Sequence, residues 1–315
     1  MSPLRARLEY IPIRAAAALL RVLPRRWGLA LGRAAGMAAW AVDRGHRHVA
    51  ERNLEMAFGE QMSPAERRAT VRKVFGHFGT MAAECLMMTR LSPRDLDRLV
   101  EYEGVEHIRK AFLKGKGVFV VSGHFGNWEM VALMQGWLGY PMALVTRPLD
   151  NPLLERLLGR CRKHSGNEVI SKRAAAREIL RTLRHGWCVA LVIDQDTRGG
   201  GEPVFVDFFG RPAATTPALG LLALKSEAPI VPAFGVPLPG GRYRITYLPE
   251  VQIARTGVRQ ADVMAITQAC TSLIEQQVRN RPECWLWLHR RWKRTPRGDA
   301  ARGGGAQAAA GGESA

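Results

Sequence analysis

The sequence predicts an α/β fold in which a mixed, mostly parallel sheet is flanked by helices. From Gly117 onward, short apolar runs alternate with amphipathic segments, which is typical of parallel strands joined by helices. One run, Val118 to Val121, is apolar at every position, as expected of a central strand covered on both faces. The chain has 315 residues, of which 47% are hydrophobic, so it can bury a sizeable core.

The first 45 residues predict a helical extension that associates with a membrane. They are rich in Ala, Leu and Trp, but arginines interrupt them before any stretch reaches the roughly 18 uncharged residues of a spanning helix. Arg14 and Arg21 share one helical face, and Pro24 interrupts the helix. Such a helix lies in the lipid interface with its arginines among phosphates. A helix pair packed on the domain is an alternative, and the two interpretations are compatible.

The rest of the chain divides into predicted elements. Ser63 to Glu66 form a capping box that opens a helix containing His77, and Ser92 opens another helix. The predicted strands are 118–122, 142–146, 168–171, 188–193, 229–234 and 243–248, the last near the sheet edge. The predicted helices that follow Gly117 are 152–164, 174–185, 217–227 and 267–279. We therefore expect one catalytic domain over 46–295 and a disordered, low-complexity tail over 296–315.

The charge and the cysteines narrow the classes of function. The formal net charge of +18 requires an anionic partner, either nucleic acid or anionic lipid. The basic residues are spread widely and no RNA-binding aromatic signature is present, so a nucleic-acid binder is the weaker of the two. Five scattered cysteines without a Cys-x-x-Cys pair indicate a reducing compartment and argue against a disulfide framework or a zinc site.

The strongest local signal is a histidine at the end of the central strand. His124 lies in Gly123-His124-Phe125-Gly126, and Glu129 follows five residues later. An imidazole titrates near neutral pH and can act as a general base, while a carboxylate on its other nitrogen fixes the tautomer. Asn127 is a candidate N-cap for a helix that places Glu129 in its first turn, facing back toward His124. A serine hydrolase is disfavoured because Gly-x-Ser-x-Gly is absent at this strand end.

The chain contains a second copy of the same four letters. Gly76-His77-Phe78-Gly79 lies in a segment with helical periodicity, and the fifth residue after His77 is Ala82 rather than a carboxylate. We therefore interpret His77 as an ordinary helix residue. The comparison shows that the four letters alone are a weak signal and that the surrounding context identifies a site.

Several short blocks of residues occur in a recognisable order along the chain. The blocks are Arg52-Asn53-Leu54 with Ala57-Phe58, Gly123 to Glu129 with its His-x₄-Glu spacing, Thr146-Arg147-Pro148, Asp194-Gln195-Asp196, Val206 to Gly210, and Pro282 to Arg291. With these blocks the chain resembles the lipid A biosynthesis acyltransferases (the lauroyl/myristoyl, or late, acyltransferases) of the lysophospholipid acyltransferase group. The resemblance covers about residues 10 to 295. Trp292 stands where the family often has phenylalanine, and the sequence around 150–190 is generic.

The resemblance implies a glycerolipid acyltransferase-like fold and transfer of a fatty acyl group from a thioester of acyl carrier protein (or CoA) to a hydroxyl of a lipid A precursor. It implies no metal and no organic cofactor. The chemistry of the residues agrees with this: His124 deprotonates the acceptor hydroxyl and Glu129 orients the imidazole. The backbone amides of Gly126 and Asn127, at a helix N-terminus, are candidates for binding the oxyanion.

Further residues are candidates for binding the substrate. Arg147 suits an acceptor phosphate because a guanidinium grips phosphate bidentately. Asp194 and Gln195 end a buried strand and are expected to brace the site or an arginine. Arg290 and Arg291 follow interfacial aromatic residues and are candidates for binding phosphate. Each of these residues also has an alternative interpretation. Arg147 would be an ordinary surface arginine, Asp194 and Gln195 would have a purely structural role, and Arg290 and Arg291 would form a solvated basic end.

The expected partners are a thioester donor, an anionic glycolipid acceptor and a membrane surface, with no nucleic acid. The expected location is the cytoplasmic face of the inner membrane, as a peripheral or monotopic protein. The sequence does not exclude another acceptor, such as a phosphatidylinositol mannoside, an ornithine lipid or a lysophospholipid. It also does not exclude a non-catalytic basic protein that binds membranes or nucleic acid. Acyl chain length, the acceptor hydroxyl and the oligomeric state do not follow from the sequence.

Overall fold

A seven-stranded sheet organises the fold in a computed structural model that describes residues 2–172, 175–196, 202–252, 255–294 and 296. The strands are β1 (Val100–Glu103), β2 (Val118–Ser122), β3 (Met142–Thr146), β4 (Glu168–Ser171), β5 (Cys188–Val192), β6 (Val204–Phe208), β7 (Arg211–Thr215), β8 (Ile230–Leu238) and β9 (Arg242–Tyr247). The helices are α1 (Pro3–Val22), α2 (Arg25–Val42), α3 (Arg44–Phe58), α4 (Pro64–Met87), α5 (Leu96–Leu99), α6 (Val105–Phe112), α7 (Trp128–Trp137), α8 (Pro152–Arg162), α9 (Ala175–Arg184), α10 (Ala218–Ser226) and α11 (Arg259–Asn280).

The strand order is β1-β9-β8-β2-β5-β3-β4, with β2 at the centre. Neighbouring strands are parallel except for β8 and β9, which pair antiparallel. The prediction of a mixed, mostly parallel sheet flanked by helices is therefore confirmed. The β9 strand lies one position in from the β1 edge, close to where the sequence placed it. Strands β6 and β7 form a separate antiparallel hairpin.

Two hydrophobic layers cover the sheet because side chains alternate along each strand. Phe119 and Val121 of β2 point into the layer formed with α9, α10 and α11. Val118 and Val120 point into the opposite layer, which α6 and α7 complete. All five residues of β2 are buried, which explains why its sequence is apolar at four successive positions.

The N-terminal helices lie against the rest of the protein. Helices α1 and α2 meet at Pro24, where the sequence predicts a break. Ala17 and Leu20, on the predicted apolar face of α1, are buried, whereas Leu4 is exposed. In the described part of the chain, no helix combines the length and the apolar character that crossing a bilayer requires.

Some elements differ from the predicted ones. Strands β1, β6 and β7 were not predicted, and α11 begins at Arg259 rather than at 267. The helix predicted to begin at Ser92 is only a short 3-10 turn followed by the four residues of α5. The tail predicted to be disordered, 296–315, lies outside the described residues apart from position 296.

Helices α2 and α4 cross at glycines, so an added methyl group at this crossing should destabilise the protein. A Cβ atom on Gly36 would lie 2.1 Å from the carbonyl oxygen of Phe75, so Gly36→Ala must push the helices apart. We expect a loss of about 1–3 kcal/mol in the free energy of unfolding, measured by urea denaturation. Gly45→Ala in α3 is the matched control, since the nearest atom, Asp43 Oδ1, is 3.7 Å from the added carbon. Equal stability of the two variants would contradict the packing argument.

Candidate active site

A cavity of about 270 Å³ opens at the carboxyl ends of β2, β3 and β5, between the sheet and α7. Its inner wall is apolar and includes Val120, Val131, Met142, Leu144 and Ala233. Its outer part is polar, with His124 at the end of β2 and Gln195 after β5. Ligand sites of open α/β sheets lie beyond the carboxyl ends of the strands, and this cavity has that position.

His124 is bonded to Asp194 across two neighbouring parallel strands. Ser122 pairs with Val192 in the β2/β5 ladder, so His124 and Asp194 occupy equivalent positions two residues beyond that pair. The His124 Nδ1 and Asp194 Oδ1 atoms are 2.7 Å apart. Because an ionised carboxylate only accepts hydrogen bonds, Nδ1 carries the proton and the Nε2 lone pair of the neutral ring is available to a substrate.

The Asp194 carboxylate is buried and fully engaged. Its Oδ2 atom accepts hydrogen bonds from the His124 backbone N–H at 2.7 Å and from Trp285 Nε1 at 2.6 Å. Burial by itself would raise the pKa of Asp194, but the His124 ring and these hydrogen bonds hold the pKa below its usual value. The carboxylate is therefore charged at neutral pH and can stabilise a protonated His124.

The predicted contact between Glu129 and His124 is wrong. Glu129 lies in the first turn of α7, as expected, but its carboxylate is held by Arg162 at the end of α8. Arg162 Nε lies 3.1 and 3.0 Å from the two carboxylate oxygens, and its Nη2 lies 2.5 Å from Oε1. The helix start directs this side chain toward α8 rather than back to the strand end. Glu129 and Arg162 both line the cavity, as an ion pair in its wall.

The predicted oxyanion donors are also wrong. The Gly126 amide donates to the carbonyl of Cys284 at 2.8 Å, and the Asn127 amide donates to the carbonyl of Gly235 at 2.9 Å. Gly126 has φ +61°, and a Cβ atom there would lie 1.8 Å from Gly235 oxygen. This glycine therefore serves a close backbone contact, and neither amide is free to bind a substrate.

The Asn127 side chain caps α7 as predicted, and a buried network holds it. Its Oδ1 accepts from the Met130 backbone N–H at 3.0 Å, and its Nδ2 donates to Glu84 of α4 at 3.0 Å. Glu84 also accepts from the Tyr243 hydroxyl and pairs with Arg25 of α2. Burial raises the pKa of Glu84, while the Arg25 charge and the hydrogen bonds act in the opposite direction.

His77 is a helix residue, as predicted, and it contacts the site loop. Its Nε2 donates to the carbonyl oxygen of Gly126 at 3.0 Å, so the two Gly-His-Phe-Gly copies meet in the fold. Burial lowers the pKa of His77, so the ring stays neutral and acts as a structural hydrogen-bond donor.

Of the other residues predicted to bind the substrate, Arg147 and Gln195 lie at the cavity, whereas Arg290 and Arg291 do not. Arg147 and Gln195 line the cavity, and the exposed Arg147 pairs with Asp150 at 3.1 Å. Arg290 is exposed outside this cavity. Arg291 is not available to a substrate, because it is buried and donates to Ala214 oxygen and Thr215 Oγ1. Asp194 braces the site as expected, but through His124 rather than through an arginine.

Three contacts of the candidate site were not predicted from the sequence: Asp194 to His124, Trp285 to Asp194, and Arg162 to Glu129. A signal for the first was present, since Asp194 directly follows a strand predicted to run parallel to 118–122. Side chains that follow adjacent parallel strands meet at one edge of the sheet. The other two contacts join segments whose relative positions depend on tertiary packing.

The arrangement combines a positioned imidazole with a deep apolar cavity. A base of this kind accepts a proton from a hydroxyl, and the apolar wall receives a hydrocarbon group. Ser122 and Thr146 line the same cavity, and their buried hydroxyl oxygens have no hydrogen-bond partner among the residues that the structure describes. These features fit a reaction between a hydroxyl group and a substrate that carries an alkyl chain.

Comparisons with known proteins agree with this chemistry. The family model of the bacterial lipid A biosynthesis acyltransferases matches residues 6–294. The chain is 32% identical to a lipid A biosynthesis lauroyltransferase of Escherichia coli K12, over 86% of this chain and 87% of that protein. It is 29% identical to a palmitoleoyltransferase (86% of each chain) and 26% identical to a myristoyltransferase (84% and 86%) of lipid A biosynthesis from the same organism.

The buried pair of Glu129 and Arg162 gives a stability prediction. Arg162→Met leaves the Glu129 carboxylate, which is 5% exposed, without its partner charge. We expect a loss of about 3–5 kcal/mol in the free energy of unfolding. The double variant with Glu129→Gln recovers most of that loss, because it removes the unpaired charge. Chemical denaturation of the two variants tests this, and equal stabilities would refute the pairing argument.

Proposed function

Because the chain belongs to the bacterial lipid A biosynthesis acyltransferase family, we propose that it transfers a fatty acyl group from a thioester donor to a hydroxyl of a lipid A precursor, with His124 as the general base. The donor is an acyl carrier protein or coenzyme A thioester. The observation that carries the proposal is the bond between His124 and the ionised Asp194 at the mouth of an apolar cavity.

In the proposed reaction, His124 Nε2 takes the proton of the acceptor hydroxyl as its oxygen attacks the thioester carbonyl. Asp194 stabilises the imidazolium that forms and fixes the ring tautomer. The tetrahedral intermediate then collapses, the carbon–sulfur bond breaks, and the imidazolium returns the proton to the leaving thiolate. The products are the ester and the free thiol. Asp194 thus takes the orienting role that the sequence assigned to Glu129.

The cavity is proposed to hold the donor's acyl chain. Its apolar wall is formed by β2, β3 and α7, and each methylene buried there contributes about 0.8 kcal/mol. Its polar mouth carries Arg147, which suits an anionic group of the acceptor. The pair of Glu129 and Arg162 is proposed to shape the wall between these two parts without taking a proton from the substrate.

A membrane surface is the proposed site of action. Leu4, Leu8 and Ile11 form an exposed apolar stripe on α1, being 69%, 64% and 61% exposed. Arginines flank this stripe along α1 and α2, and a basic, amphipathic helix binds anionic lipid surfaces. We infer peripheral association with the cytoplasmic face of the inner membrane, where a lipid acceptor is accessible.

Loss of the base is expected to abolish most of the transfer. His124→Ala should lower the turnover rate by about 10²–10⁴-fold, and Asp194→Asn, which keeps the side-chain shape, should fall in the same range. The assay follows labelled acyl transfer from acyl carrier protein or coenzyme A to a lipid A precursor. His185→Ala, at the exposed end of α9, is the control and should be neutral. A His124→Ala enzyme with nearly wild-type turnover would refute the mechanism.

Membrane docking through α1 is expected to depend on its exposed stripe. Leu4→Gln combined with Leu8→Gln should weaken binding to anionic phospholipid vesicles at least about tenfold, since each buried leucine contributes about 1.5–3 kcal/mol. Vesicle flotation measures the bound fraction. Leu113→Gln is the control, because Leu113 is 76% exposed but lies on the α6 side of the sheet. If the double variant floats like the control, α1 does not dock the protein.

A further inference from the structure

Leu288, His289 and Arg290 are consecutive residues after α11, and their side chains lie in different surroundings. Leu288 lines an apolar groove of about 520 Å³. His289 is partly buried, and three residues before it the backbone N–H of Leu286 donates to the carbonyl oxygen of His124 at 3.0 Å. Arg290 lines a separate cavity of about 340 Å³. The segment that joins the groove to this second cavity therefore contacts the residue that carries the proposed base.

The second cavity is basic. His48 and Arg52 of α3 line it together with Arg290 and Lys293, and no acidic side chain is among the described residues that form its wall. Arg52, Arg290 and Lys293 make no ion pair with any carboxylate in the described ranges. Uncompensated guanidinium groups in a concave site are suited to phosphate, which arginine binds bidentately. We call this site the basic cavity.

The two walls of the basic cavity are joined by a buried side chain. Asn53, next to Arg52 on α3, donates hydrogen bonds of 2.7 Å to the carbonyl oxygens of both Trp287 and His289. Asn53 is 5% exposed, so these bonds are shielded from water. The backbones that carry Arg52 and Arg290 are thereby held in place before any anion binds, which reduces the entropy cost of binding.

The apolar groove lies along the contact between α2 and α4, and Leu20 of α1 also lines it. Its walls include Leu31, Ala39, Phe75 and Phe78. The Phe78 ring is 6.1 Å from that of Trp128, which is 4.9 Å from the His124 ring. At the corner between α2 and α3 the groove reaches Asp43, whose carboxylate is already bonded to His46 at 2.6 Å.

The geometry points to a two-part site for the acceptor lipid: a phosphate of its headgroup binds in the basic cavity and one of its acyl chains lies in the apolar groove. The hydroxyl to be acylated then reaches His124 between the two parts. This inference rests on the proposed function, and it leaves the cavity beside α7 to the donor chain. A free phosphate ion would use the basic cavity alone, whereas the adjoining groove favours a phosphorylated lipid.

Equilibrium binding to the full-length His124→Ala protein tests this site without turnover. The probes, in detergent micelles, are a phosphorylated lipid A precursor, the same lipid after phosphatase treatment, and inorganic phosphate. Arg52→Gln with Arg290→Gln should weaken binding of the phosphorylated lipid about 10–100-fold and leave the dephosphorylated lipid unchanged. Ala39→Trp, which fills the groove, should weaken both lipids alike. Wild-type transfer is assayed separately, so a failure of the proposed function is distinguishable from a failure of this site.

Matched controls come from exposed positions. Arg68→Gln on α4 removes a charge outside the basic cavity, and Ala34→Trp adds the same ring on another side of α2, so both should bind every probe normally. Unchanged binding of the phosphorylated lipid to the double arginine variant would overturn the site. Inorganic phosphate that binds as tightly as the phosphorylated lipid, with Ala39→Trp having no effect on either lipid, would overturn the lipid assignment.

Discussion

The parallel pairing of β2 with β5 is the constraint on which the site depends. The register that places Ser122 opposite Val192 brings His124 and Asp194 to equivalent positions beyond the sheet. Their side chains then meet at 2.7 Å, although 70 residues separate them in the chain. The register is fixed because β2 buries all five of its side chains and β5 buries Cys188 and Val189, and a slip of one residue would turn every buried side chain to the other face. The pair proposed to be catalytic therefore follows from ordinary sheet packing.

The sequence predicted the parts of the site that depend on local structure. The buried central strand, the histidine at its end and the Asn127 cap each follow from residue pattern within a few positions. The partner of His124 did not follow, because local spacing favoured Glu129 whereas the tertiary contact of α7 with α8 directs that carboxylate to Arg162. The prediction of the oxyanion donors was wrong for a similar reason, because the backbone amides of Gly126 and Asn127 donate to carbonyl oxygens of distant segments.

The N-terminal helices form part of the protein surface, and α2 also helps to hold the candidate site in place. Arg25 of α2 pairs with Glu84, which in turn holds the Asn127 side chain that caps α7. A continuous set of polar contacts therefore joins the segment proposed to meet the membrane to the helix that begins beside His124. The amphipathic pattern of residues 1–45 predicted helices but gave no sign of this connection, because Glu84 lies in an otherwise helical, partly apolar stretch.

The tautomer of the His124 ring depends on whether its Nδ1 donates to Asp194. Nitrogen NMR of the full-length protein with labelled histidine reports which ring nitrogen carries the proton, and we expect Nδ1–H in the neutral ring. Asp194→Asn should change that signal, whereas Glu129→Gln should leave it as in the wild-type protein. A signal that changes with Glu129→Gln and not with Asp194→Asn would contradict the pairing of His124 with Asp194.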